Sequence, residues 1–109
     1  MKQVGTNLYG IETEADCCAK LDELLALHER ADRIRDKSTV AALKSSLEAY
    51  YKKGNTLRGE RQMSPVEQKY FWPAVVRAFL RAPNLSKPGT WQDGLYEIRL
   101  NLMYYRPRL

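Results

Sequence analysis

Residues 95–105 read Leu-Tyr-Glu-Ile-Arg-Leu-Asn-Leu-Met-Tyr-Tyr and satisfy two periodicities at once. Together with Trp91, the residues Leu95, Ile98, Leu102 and Tyr105 recur at the three-and-four spacing of one helical face. The same stretch also alternates, with Ile98, Leu100, Leu102 and Tyr104 set against Arg99, Asn101 and Met103, as a half-buried strand would. A lone strand would leave its backbone groups without a neighbour, so the choice depends on whether the rest of the chain offers a sheet. On a helix, Tyr96, Leu100 and Met103 lie off the main stripe. They form a second apolar face, which implies a central helix or one that meets another protein.

The rest of the chain is punctuated for helices. Thr13-Glu14-Ala15-Asp16, Ser38-Thr39-Val40-Ala41, Ser64-Pro65-Val66-Glu67 and Thr90-Trp91-Gln92-Asp93 each place a side-chain oxygen where it can accept an unpaired backbone N–H at a helix start. In three of them an acid three positions on can reach back or face the positive end of the dipole. The segment 14–35 carries Cys17, Leu21, Leu24, Leu25, His28, Ala31 and Ile34 on or near one face, with acids at its front and arginines at its rear. A second helix is expected to open after Ser38 and to close on Gly54 as a left-handed cap, with Val40, Leu43, Leu47 and Tyr50 or Tyr51 as its stripe. The tight link at Asp36 and Lys37 predicts a hairpin of these two.

Residues 54–63 hold two glycines and no periodicity, so they read as a loop. Ser64-Pro65-Val66-Glu67 is the strongest start signal, because proline at the first helical position adds its preset φ to the capping box. The helix it opens runs to about Arg81. Pro73 cannot donate to the carbonyl of Lys69 and crowds it, which predicts a kink or a split there. Residues 83–89 are a second loop. The expected fold is therefore all-α, a four-helix bundle of antiparallel helical hairpins. Residues 1–12 are expected to be a flexible tail and residues 13–109 a single domain, a size suited to one core.

Composition narrows the chemistry. With 44% hydrophobic and 28% charged residues the chain has ordinary globular usage. Its apolar runs are interrupted well before the roughly 20 residues a bilayer needs, and its opening residues lack the apolar run of a secretory signal. The expectation is a cytoplasmic protein with no membrane partner. The charge is uneven: residues 1–48 carry seven Lys/Arg against nine Asp/Glu, and residues 49–109 carry eleven against four. An acidic partner or a plain solvated surface accounts for that excess.

Site chemistry is sparse. The single histidine, His28, has Leu25 three positions before it, so the Glu-x-x-His of a di-iron bundle is missing. Cys17 and Cys18 are adjacent, which bars an ordinary disulfide between them, and they lie about ten residues, roughly 15 Å, from His28 along one helix. That spacing also keeps an imidazole from either thiol within the monomer. Walker, dinucleotide and Cys-x-x-Cys signatures are lacking. These residues predict no enzyme, no metal and no cofactor, with His28 at the core edge beside Asp32.

Two binding readings remain. The first is a protein-interaction module that docks on another protein or on its own copy. Seven tyrosines and two tryptophans are more aromatic surface than short helices enclose, and Tyr50, Tyr51, Tyr104, Tyr105 and Arg106 are the candidate contacts. The second is a sequence-nonspecific nucleic-acid binder built on Lys52, Lys53, Arg58 and Arg61 around the middle loop. A helix-turn-helix is disfavoured, because the one tight turn lies in the acidic half.

Overall fold

A computed structural model describes residues 7–109. The fold is all-α. Four α-helices, α1 (Glu14–Ile34), α2 (Lys37–Gly54), α3 (Trp72–Phe79) and α4 (Trp91–Tyr104), pack in sequence, and α4 closes back on α1 around one core. The stretch 91–104 is therefore helical, as the absence of any sheet among the described residues requires. Its inner face buries Gly94, Leu95, Ile98 and Leu102. These meet Leu21, Leu24, Leu43, Leu47, Phe71, Val75 and Ala78 in the core.

The helix starts obey capping chemistry, with two changes of residue. Thr13 and Asp16 form a reciprocal capping box, with Thr13 Oγ1 accepting the Asp16 N–H at 3.1 Å and Asp16 Oδ2 accepting the Thr13 N–H at 3.1 Å. The cap of α2 is Asp36, not Ser38: its Oδ1 accepts the Thr39 N–H at 2.8 Å and the Thr39 hydroxyl at 2.9 Å. Carboxylate acceptance at a helix start is worth more than a hydroxyl's, so the helix begins two residues earlier. Arg35 bridges α1 and α2 in the left-handed region, at φ 53°. Its guanidinium covers the last turn of α1, donating to the Asp32 carbonyl at 3.1 Å and to the Asp32 carboxylate at 2.7 Å.

The second change is at Thr90, whose side chain does not cap α4. Its hydroxyl donates instead to the carbonyls of Asn84 and Lys87, at 2.6 and 3.1 Å. Two 3₁₀ turns, Ala82–Leu85 and Pro88–Thr90, lead the chain into α4.

Gly54 was expected as a left-handed cap but ends α2 in helical conformation, with Asn55 after it at φ −89°. A glycine stands there for space. A Cβ at Gly54 would overlap the Trp72 ring and the Tyr9 hydroxyl. Ahead of α3 the chain runs through a π turn, Glu67–Phe71, whose closing bond is Trp72 N–H to the Glu67 carbonyl. Pro73, which has no N–H to give, sits in the first turn of α3.

Residues 7–12 were expected to belong to a flexible tail, of which residues 1–6 lie outside the described ones. Residues 7–12 are instead stitched into the core. Tyr9 and Ile11 are buried, and the side chain responsible is Glu67, which has no exposed surface. Its Oε2 accepts the N–H groups of Tyr9 at 2.8 Å and Ile11 at 3.0 Å, while Oε1 accepts the Ser64 N–H at 2.7 Å. The capping box legible at Ser64 is present, with Glu67 N–H on Ser64 Oγ at 3.1 Å, and the same hydroxyl donates to the Ile11 carbonyl. A buried carboxyl is tolerated because both of its oxygens meet backbone N–H donors.

Candidate functional site

The outer face of α4 carries a row of exposed apolar side chains. Four large side chains at helical spacing point outward: Tyr96 at 64% exposure, Leu100 at 46%, Met103 at 46% and Tyr104 at 80%. The second apolar face read from the sequence is therefore a surface, and α4 is not a central helix. The molecule measures 51 × 32 × 18 Å. Its thin dimension accommodates two layers of helix at ordinary packing distances, so each helix keeps one side toward solvent.

The two ends of this stripe differ in charge. At the N-terminal end a hollow of about 400 Å³ is lined by Asn84, Asp93, Tyr96, Glu97 and Leu100. Glu97 meets Arg81 at 3.3 Å, while the Asp93 side chain has no hydrogen-bond or ion-pair partner among the described residues. At the C-terminal end Tyr104 stands in a basic setting, in a hollow of about 480 Å³ that includes Lys69, Arg106 and Arg108. The acid of that hollow, Glu14, accepts the Tyr70 hydroxyl at 3.2 Å.

The candidate contacts expected from the sequence separate in space. Tyr104 is the exposed member. Tyr105 crosses it edge-on at 4.9 Å and packs against the core. Arg106 is committed within the chain: Nε and Nη2 bind the Asp22 carboxylate at 2.9 and 3.0 Å, and that hydrogen bond holds the Asp22 carboxyl below its usual range. Tyr50 and Tyr51 are half-buried rather than offered to a partner. Tyr50 meets Phe71 edge-on at 5.4 Å, and Tyr51 stacks on Phe79 at 4.2 Å and on Trp72 at 5.8 Å.

The basic loop is exposed. Lys52 lies 4.0 Å from Glu48, and Lys53 sits 5.8 Å from the centre of the Tyr9 ring. Arg58 and Arg61 are on the surface, next to Leu57, which is 98% exposed. Beside these cations the Tyr9 ring is buried and Tyr50 and Tyr51 are half-buried, so little aromatic face is open for the base stacking such a binder uses.

His28 and the cysteines are structural in their surroundings. His28 is buried, and its Nε2 lies 2.7 Å from the Leu95 carbonyl of α4, while Asp32, one turn on, lines the same hollow and favours the charged ring. Burial pushes the imidazole below its ordinary pKa, against the opposing pull of that carbonyl. Burial drives the Cys17 thiol up to about 12, and Cys18 donates to the Pro107 carbonyl at 3.2 Å. Among the described residues no three His, Cys, Asp or Glu side chains cluster as a metal site, and no helix is long and apolar enough to cross a membrane. Compared with models of known protein families, with curated proteins and with solved structures, the chain shows no match.

Sequence reasoning missed Glu67 as the anchor of residues 9–11. The signal was present in part: an acid at the third position of a capping box reaches back over the residues before the helix. It also missed Leu57, which no periodicity marks.

Proposed function

We propose that this chain is a non-catalytic, cytoplasmic docking module that binds another protein, or its own copy, through the outer face of α4. The observation that carries this reading is the row Tyr96, Leu100, Met103 and Tyr104, four large side chains exposed along one helix. Scattered apolar residues are normal on a surface, whereas a contiguous row with tyrosine at both ends has the composition of an interface core.

Affinity capture from the native host tests the reading with two baits, the wild-type chain and Leu100→Asp. A protein held by the first and released by the second is the expected result. Identical retention by both baits, together with no self-association, would remove the reading. The competing reading, a nonspecific nucleic-acid binder using Lys52, Lys53, Arg58 and Arg61, predicts retention of labelled DNA or RNA that falls steeply between about 50 and 200 mM salt. Such retention, lost when these four are replaced by glutamine, would put it first.

A further inference from the structure

Resting on the docking reading, we infer that the occupant of the α4 face is a second copy of this chain, packed antiparallel about a two-fold axis that passes beside Leu100. The argument is self-complementarity. On a helix of 3.6 residues per turn, Asp93, Leu100 and the pairs Tyr96/Glu97 and Met103/Tyr104 share one outward line, about 16 Å from Asp93 to Tyr104. The acidic hollow beside Asp93 and Glu97 lies at one end of that line, and the exposed Tyr104 ring with Lys69 and Arg108 lies at the other. A parallel copy would set acid against acid and base against base. An antiparallel copy sets each Tyr104 into the other's acidic hollow and brings each Arg108 toward the other's unpartnered Asp93, contacts that each occur twice, and it stacks Leu100 on itself at the axis.

The two helix dipoles also oppose one another in this arrangement. Each Tyr104 hydroxyl is placed to donate to a carboxylate of the partner's hollow, and each acidic hollow has the volume to take a ring. The contact follows one helix, which puts it at the small end of specific interfaces, below about 1,200 Å² in total. The dimer is accordingly weak and exchanging, with a Kd of roughly 1–100 µM.

Sedimentation velocity at loadings from about 5 to 500 µM reads this directly. Wild-type protein is expected to move from monomer to dimer across the range, and Leu100→Asp to stay monomeric with an unchanged circular dichroism spectrum. Asp93→Arg and Arg108→Asp are each expected to weaken the dimer about tenfold, and the double exchange to restore it. A wild-type monomer at every loading, a dimer that Leu100→Asp leaves intact, or a double exchange that fails to restore affinity would each overturn the inference. The docking reading itself survives a wild-type monomer if a host protein is held by the wild-type bait and released by Leu100→Asp, and it falls only if neither self-association nor such a protein is found.

Discussion

Gly54 and Trp72 touch so closely that a Cβ on Gly54 would stand 2.7 Å from indole Cε3 and nearer still to Cζ3. Two elements that meet at a backbone atom cannot separate slightly to admit a methyl group, because Trp72 is itself stacked on Tyr51. Gly54→Ala would gain about 1 kcal/mol of helix propensity and meet an overlap costing about 1–3 kcal/mol. The expected outcome is a net loss in urea denaturation with a shift in tryptophan emission. Gly89→Ala, at a position with open space around it, is the control and is expected to be neutral or slightly stabilising.

Glu67 joins residues 9–11 to the start of the π turn. Glu67→Ala would strand three buried N–H donors, with a loss of about 3 kcal/mol or more, read from the denaturant midpoint. Glu67→Gln keeps one acceptor oxygen and turns an amide toward the remaining donors, so a smaller loss is expected. Hydrogen exchange gives the specific signature: the amides of Tyr9 and Ile11 lose protection before those of α2 do. Equal deprotection everywhere would mean that Glu67 supports the whole core and not this segment.

Asp36 and Ser38 compete as the start of α2, and the hydrogen bonds favour Asp36. Asp36→Ala is expected to lower the melting temperature by several degrees, while Ser38→Ala stays within about 2 °C of wild type. The reverse order would restore Ser38 as the cap. Because the Thr39 N–H holds the Asp36 carboxyl below its ordinary pKa of 3.8, the cap's contribution is present above that pH and is lost as the pH falls through the folded-state value.

His28 sets a separate, higher window. Burial lowers its pKa from 6.5 in the folded protein, so between the folded value and 6.5 the unfolded chain binds more protons than the native one. Stability is therefore complete above about pH 7 and declines as acid carries the solution through that interval. His28→Gln, which keeps an N–H for the Leu95 carbonyl, is expected to flatten the decline that begins as the pH falls through 6.5, measured by urea midpoints. A profile unchanged by this substitution would place the sensitivity elsewhere.

Much of the fold could be read from the chain because capping and periodicity are local. Thr13 with Asp16 and Ser64 with Glu67 form the boxes their spacing implies, and the Leu95-Ile98-Leu102 stripe faces inward. What escaped is the part decided by distant partners. Whether Gly54 serves as a turn or as a clearance depends on Trp72, eighteen positions away. Whether Tyr50 and Tyr51 are surface or core depends on Phe71 and Phe79. Arg106 looked free because its carboxylate, Asp22, lies 84 residues earlier. The α4 face was partly legible, since Tyr96, Leu100 and Met103 fall off the main stripe; the contrast between its two ends needed Lys69 and Asn84 brought beside it.

The N–H groups of Tyr9 and Ile11 wait for a carboxylate at position 67, and Cys18 and Asp22 on α1 wait for Pro107 and Arg106. On a growing polypeptide α1 thus has α2 to pack on before it gains the bonds that Arg106 and Pro107 supply. A chain cut short before Arg106 should expose α1 to a protease that the chain through Leu109 resists.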